Sequence, residues 1–538
     1  MPGRLAVDFG TSNTVVALWD ETRQLGVPLH IPAFGMIQQQ GGEDISLIPS
    51  LIHYADENRT LIGSQVIERG LRQSPRTLRW MKRYISNRSP NKIRIDGREI
   101  TPYLAGQDFL TSVLVFAGQE VGFRDEEVAL SVPVEAFEHY ENWLVSVAEI
   151  AGMPRFRLID EPSAAALGYG AHVQPGSVYL LFDFGGGTMH AAVVLIEEEA
   201  NPGQVSGALA SGGRRCRVLG KAGRDIGGTT VDQWIFQDVL RQNHRLDSDQ
   251  DVRRVSTALL VECERVKETL STAEYADLSV VNPETGAALA AEFTRSAFEE
   301  LLDRHDLFTE INQTIRTAIN QATERGYDES AIQSALMVGG SSQIPAVQRT
   351  LRQIFGRDRV QFNRPLDAVA RGAAAFVAGV DFFDHIQHDY AIRFVNAEKG
   401  KYDYRTIVQR GTPYPTHEPV ARLAIKASYD EQKQMGIAIY ELGEQRSRNN
   451  GQPVELVFDP NGAVRITPLS PHEQEKRSLF WMNERNQTFL VADPPAKRGE
   501  ARFEVEFLID ENKRLTINAR DLTTGRLTHK DYPVVKLT

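Results

Sequence analysis

An α/β body followed by an all-β sandwich is the fold class that this 538-residue sequence predicts, and three observations predict it. An apolar strand ending in aspartate and running into a glycine turn occurs twice. Strand-like and helix-like stretches alternate up to about residue 380, the grammar of a layered α/β fold. Beyond about residue 384 the pattern changes to period-two alternation, which belongs to half-buried strands.

Residues 5–20, LAVDFGTSNTVVALWD, read as strand, glycine turn and strand, and 178–195, VYLLFDFGGGTMHAAVVL, repeat the arrangement about 175 positions later. The two copies imply two lobes, each presenting one hairpin to a shared cleft. Between them, EVALSVPV (127–134) is strand-like, AFEHYENWLVSVAEIAG has helical spacing and ends at Gly152, and the short strand RLID meets the helix-like PSAAALGYG. Residues 229–330 read as largely helical. Segment 335–355 is strand, glycine turn and helix, and AVARGAAAFVAGV (368–380) closes the α/β region.

In ARFEVEFLID, Phe503, Val505 and Phe507 alternate with Arg502, Glu504 and Glu506, so one face is buried and the other is wet. LTINARDL places Leu515, Ile517 and Ala519 on one side, making a hairpin across DENKR. Earlier strands are expected at ARLAIKAS, GIAIYELGE and PVELVFD, the last followed by turn residues Asp459, Pro460, Asn461 and Gly462. Residues 468–488 are charged and weakly periodic, and read as a loop or short-helix insertion. The expected division is a domain over 1–383, a linker over 384–389 and a β-sandwich over 390–538.

A net charge of −11 without a long Lys/Arg stripe argues against nucleic acid. Cys216 and Cys263 are too few for a disulfide framework and too isolated for a zinc or redox pair. No run approaches the ~20 apolar residues of a membrane span, and no signal-peptide core precedes the first strand. These features predict a cytoplasmic protein with no membrane or nucleic-acid partner.

No GxxxxGK[ST] motif occurs, so phosphates would have to be held by backbone N–H groups converging from tight glycine turns. Gly10, Thr11, Ser12 and Asn13 form one such turn, and Gly185, Gly186, Gly187 and Thr188 form the other. Asp8 and Asp183, each at a strand end beside its turn, are placed to hold a hydrated Mg²⁺. A third turn, Val338, Gly339, Gly340 and Ser341, precedes a helix and suits a nucleoside. A fourth, 223–228, contributes Gly227 and Gly228.

The ordered set DFGTSNT, LIDEPSAAALGYG, FDFGGGT, GRDIGG, CERVKETLS and VGGSSQIP resembles the seventy-kilodalton heat-shock chaperones from the first residues to about 380, and the β region from DPPAKRGEARF onward is similar to the end of that family's peptide-binding sandwich. The resemblance implies a two-lobed, actin-like (ribonuclease-H-like) ATPase domain using ATP/ADP and Mg²⁺, with a polypeptide client and a co-chaperone or nucleotide-exchange partner. It implies that Asp8, Thr11, Ser12, Gly186, Gly187 and Thr188 hold phosphates and metal. Lys82 matches the phosphate-directed lysine, and Glu161 the carboxylate that helps position the attacking water. Asp183 and Thr188 complete the catalytic set. Glu264, Lys267 and Ser271 correspond to the adenosine-contacting face, and their spacing puts them on one side of a helix. Without the resemblance, Lys82 reads as a solvated helix lysine, Glu161 as a helix-capping residue and the 264–271 set as an exposed charged stripe.

The chain also departs from that pattern. His190 stands where the family has a second metal-side aspartate, and a neutral imidazole supplies no negative charge. Gln343 replaces an arginine that packs on adenine, and Glu268 sits where some members carry another, a loss of about 0.5–2 kcal/mol of stacking. Pro133 matches a switch proline, but Glu141 takes the place of the arginine that relays nucleotide state, and the linker DFFDHIQHD is polar. The sequence stops after the last strand, so the expected sandwich has no helical lid. The leading expectation is a slow ATPase coupling nucleotide state to an extended polypeptide. A nucleotide-sensing scaffold that does not hydrolyse is the rival, and a small-molecule kinase a third reading. The oligomeric state is not legible.

Overall fold

The computed structural model describes the chain except for residues 1–3, 41–42, 57–58, 124–125, 134–137, 170–175, 198–214, 380–385, 387, 397–400, 411, 413, 415, 417, 443–453, 459–462, 469–478, 485, 511–512 and 538. Its contacts divide into two units. The first comprises Met1–Val134, Tyr140–Phe383 and Pro453–Pro468; the second comprises Glu135–His139, Asp384–Gln452 and Leu469–Thr538.

Two sheets organise the first unit, and they repeat one topology. In one, Leu5–Phe9 forms an antiparallel hairpin with Asn13–Asp20 and pairs in parallel with Val128–Val132 on its other side. In the other, Val178–Phe184 forms an antiparallel hairpin with Met189–Glu197 and pairs in parallel with Ile332–Val338. Leu5, Ala6 and Val7 are consecutive and all buried, as are Val178 to Phe182. Such unbroken apolar runs mark strands covered on both faces. Asp8 and Asp183 are each the last residue but one of these first strands, next to the turn that follows.

Helices accompany these sheets at Pro102–Val121, Glu138–Ile150, Glu161–Gly168, Gly228–Gln242, Gln250–Thr272, Leu307–Thr323 and Ala368–Val377. The region expected to be largely helical also holds a hairpin, Tyr275–Val281 with Ala288–Thr294. Its residues alternate strictly between exposed and buried, a period-two signal set among longer helices. Among the described residues, no helix is long and apolar enough to cross a membrane.

The second unit is antiparallel throughout its described strands. One four-stranded sheet runs Lys401–Val408, Asp389–Asn396, Ile439–Leu442, Leu479–Trp481; another runs Ala421–Lys426, Ala501–Ile509, Arg514–Asp521, Leu527–Lys536; and Gln432–Ile437 pairs with Thr488–Ala496. Their buried side chains form one cluster. Val505 lies opposite Ala519 and Phe507 opposite Ile517, so the apolar faces read from the sequence meet across the strands. Arg502 departs from that alternation. Expected on the wet face, its side chain is only 1% exposed because it pairs at 2.8 Å with Asp521.

GIAIYELGE is divided between two strands, ending at Ile437 and starting at Ile439. The segment read as a loop or short helix contains the Leu479–Trp481 strand. Asp389, at the end of the expected linker, already begins a strand. The turn at 459–462 and residues 384, 385 and 387 of the linker fall outside the described residues. PVELVFD does form a strand, Val454–Phe458, paired with Val464–Pro468, and this hairpin groups with the first unit.

Candidate functional site

The first strand's turn and its counterpart meet in the first unit. A Cβ placed on Gly186 would lie 2.6 Å from Ser12 Oγ, and one on Gly187 would lie 2.6 Å from Thr11 Oγ1, so only glycine lets the two turns approach this closely. Ser50 fixes the first turn from beneath by donating its hydroxyl to Gly10 O at 2.8 Å and its N–H to Ser12 O at 2.8 Å. The second is closed by Gly185 N–H to Thr188 O at 3.0 Å and braced by Ser341 Oγ, which donates to Gly185 O at 3.0 Å. The turns border a cleft of about 450 Å³, which Asn13, Gly185 and Thr188 also line.

Four ionisable groups gather on the cleft floor. Asp8 Oδ1 accepts a 2.6 Å hydrogen bond from Ser131 Oγ. Although open to the cleft on one side, its carboxyl is pushed up to about 6, chiefly by loss of water, with Lys82 opposing the shift and Glu161 adding to it. Asp183 is pushed up to about 8 by the same loss of water and by repulsion from Glu161 and Asp8. Two crowded carboxyls short of water are hard oxygen donors suited to a divalent cation. Among the described residues no cluster of three or more His, Cys, Asp or Glu forms a cage, so an ion here would be held by these two oxygen donors with water and phosphate, the usual manner for Mg²⁺.

Lys82 and Glu161 form a buried ion pair. Lys82 is 8% exposed and thus not a solvated helix lysine. The cap of the Glu161–Gly168 helix is Asp160, whose side chain accepts from Ser163 N at 3.0 Å, which frees Glu161 to face the cleft. Burial works against the Lys82 ammonium, but Glu161, with Tyr140 and Asp8 adding to it, outweighs that effect and keeps the proton on. His190 sits directly opposite Asp183 across the hairpin, on the same side of the sheet, and is 1% exposed.

At the other end, Glu264, Lys267 and Ser271 line the cleft from one side of the Gln250–Thr272 helix, with Gly339, Gly340, Ser341 and Gln343 facing them from the turn after Ile332–Val338. Gly339 has φ +83°, with Phe184 and Asp183 crowding the place of a side chain. Lys267 Nζ lies 2.8 Å from Asp232 Oδ1. Gly227 and Gly228 are not on the cleft wall. Gly228 N–H donates to Gly185 O at 2.9 Å and Thr229 N–H to Gly186 O at 2.8 Å, so this glycine pair backs the second turn from behind.

Arg72, Arg79 and Asp232 were not singled out from the sequence. Arg72 lines the cleft and gives its Nη2 to Glu264 Oε2 at 2.7 Å. Arg79 approaches the same oxygen at 3.9 Å. Lys267, Arg72 and Arg79 together hold the Glu264 carboxyl below its usual range against the opposing effect of burial. A signal existed, since an arginine recurs every three or four residues from Arg69 to Arg83, but an exposed charged stripe has the same pattern.

Comparison with protein families finds a match between the Hsp70 protein family and residues 91–452, more than half of the chain.

Proposed function

The chain belongs to the Hsp70 family, which supports an ATP-binding, chaperone-type function, and from that premise we propose that the first unit is a two-lobed, actin-like (ribonuclease-H-like) nucleotide domain that binds ATP and hydrolyses it slowly. The observation that carries this reading is the contact of Gly186 and Gly187 with Ser12 and Thr11, which brings two sets of turn N–H groups to one place. A triphosphate would lie against both turns, and its nucleoside would face Glu264, Lys267, Ser271 and Gln343. When bound there, Mg²⁺ would be held through water by Asp8 and Asp183 and would supply countercharge to the phosphates. Lys82 offers a fixed ammonium to the terminal phosphate, and Glu161 offers an acceptor that orients water. These contributions are positioning and charge stabilisation. The second unit, on this reading, takes an extended polypeptide client through main-chain contacts, and co-chaperones or exchange factors act on the first. Residues 1–383 and 390–538 remain our working domains, with 453–468 assigned to the first.

Single-turnover hydrolysis of labelled ATP tests the reading. Phosphate release should be faster in the wild type than in Lys82→Ala, and equal rates would remove the case for turnover.

A second reading is favoured by His190, which stands opposite Asp183 where a carboxylate would strengthen cation binding. On this reading the protein holds ATP without hydrolysing it and acts as a nucleotide-sensing scaffold. Mass spectrometry of nucleotide recovered after long incubation separates the two, since accumulated ADP contradicts the scaffold.

A further inference from the structure

The Val454–Pro468 hairpin is unusual in its provenance. Ile439–Leu442 and Leu479–Trp481 are paired neighbours in a sheet of the second unit, and the hairpin lies within the chain that connects them, yet its contacts group it with the first unit. A connection of this length between paired strands exceeds an ordinary hairpin loop several-fold, and long connections that carry their own structure are usually functional.

The hairpin rests on the Gln250–Thr272 helix. Val464 is 0% exposed and belongs to the same core cluster as Val252, Val255, Leu259 and Leu260. Its backbone N–H donates to Ser256 Oγ at 2.8 Å, a buried bond, and Arg465 approaches Asp247 at 4.0 Å. Ser256 is itself 0% exposed. A single apolar side chain and one directional buried bond thus fix the helix at this point. Ala463 also shares a cavity of about 770 Å³ with Arg253 and with Gln73, the neighbour of the Arg72 that holds Glu264.

The same helix carries the proposed nucleoside face. Ser256, Leu260, Lys267 and Ser271 follow one another at intervals of four, seven and four, which places them on one stripe of a helix. Ser256 is about three turns from Lys267. A rigid helix transmits a rotation or shift at one end of a stripe to the other, because its backbone bonds resist bending between them.

We propose that the 454–468 hairpin is a positioning element for the nucleoside-facing side of the Gln250–Thr272 helix, acting through Val464 and Ser256. The proposal rests on the reading of the cleft as a nucleotide site. By reciprocity, if a seated hairpin favours ATP, then bound ATP favours the seated hairpin by the same factor.

The test is made on the full chain. Calorimetry measures ATP affinity in the wild type, Val464→Asp, Val464→Ile and Ser256→Ala, while hydrogen exchange follows the Val464 amide with and without saturating ATP. We expect Val464→Asp to weaken ATP roughly tenfold, or about 1.4 kcal/mol, Ser256→Ala to weaken it roughly threefold, and Val464→Ile to bind as the wild type does. ATP should slow exchange of the Val464 amide in the wild type, a response that a merely structural hairpin would not give. Ser256→Ala removes the acceptor for Val464 N–H together with the hydroxyl's own 2.9 Å bond to Arg253 O within the helix, but adds neither charge nor bulk, so it reports even if Val464→Asp fails to fold. Measurable ATP binding with unchanged Val464 exchange, or with wild-type affinity in Ser256→Ala, overturns the proposal. A wild type that binds no ATP overturns the nucleotide reading instead.

Discussion

Arg72 reaches Glu264 across 192 positions of chain, Nη2 to Oε2 at 2.7 Å, and so ties the short helix Leu71–Gln73 to the helix that lines the proposed nucleoside end. The arginine is about one-third exposed and the glutamate less so. Solvent and salt therefore screen the pair, and its worth is on the order of 1 kcal/mol or below. Arg72→Ala should speed release of a fluorescent ATP analogue severalfold in stopped flow, and raising the salt concentration should narrow the difference from wild type. A variant with unchanged release would separate this pair from the nucleotide site.

Glu161→Gln separates binding from chemistry. It keeps the size of the side chain and a hydrogen-bond acceptor for Lys82, but removes the charge that we propose orients water and that helps keep the lysine protonated. ATP binding should persist by calorimetry. Single-turnover hydrolysis should fall on the order of 10²- to 10⁴-fold, the usual worth of a positioned acid or base. Loss of binding with unchanged hydrolysis per bound ATP would exchange the roles assigned to this residue.

His190→Asp returns a carboxylate to the position opposite Asp183. Asp183 is already pushed up to about 8 by loss of water and by its acidic neighbours Glu161 and Asp8, so a fourth acid should destabilise the protein without a cation. The expected result is a lower Tm in chelator, a larger rise on adding Mg²⁺ with ATP than the wild type shows, and faster hydrolysis. An equal Tm response in both proteins would mean that no cation is drawn to this pair of aspartates.

The site was legible where chemistry sits in local sequence. Aspartate and glycine are bound to their turns by adjacency, so Asp8 with Gly10 and Asp183 with Gly185 could be read from one stretch each. Long-range pairs leave no such trace. Arg72 meets Glu264 only because the fold brings two distant helices to one cleft, and Arg502 looked solvent-facing because alternation reports the side of a strand and not what covers it. PVELVFD read as one more strand of the β region, since its periodicity carries no information about which core receives the hairpin it belongs to.

Arg502 supplies the last prediction. Its guanidinium and the Asp521 carboxylate are both almost fully buried at 2.8 Å, and Asp521 also accepts from the N–H groups of Thr523 at 2.9 Å and Thr524 at 3.1 Å. Burial would raise the Asp521 pKa, but Arg502 and these N–H groups outweigh it and hold the carboxyl below its usual value. A carboxylate depressed in this way stabilises the fold above its unfolded pKa of about 4, and that contribution is lost as the pH falls through the lower folded value. Asp521→Asn leaves buried Arg502 with only the more distant and partly exposed Glu500 carboxylate at 3.8 Å, and breaking a buried pair in this way costs about 3–5 kcal/mol. Thermal unfolding at neutral pH should therefore show a Tm lower by several degrees for the second unit's transition, and the gap should close as the pH is taken below about 4. A gap that stays constant into acid would mean that the asparagine loses packing or turn hydrogen bonds and not the ion pair.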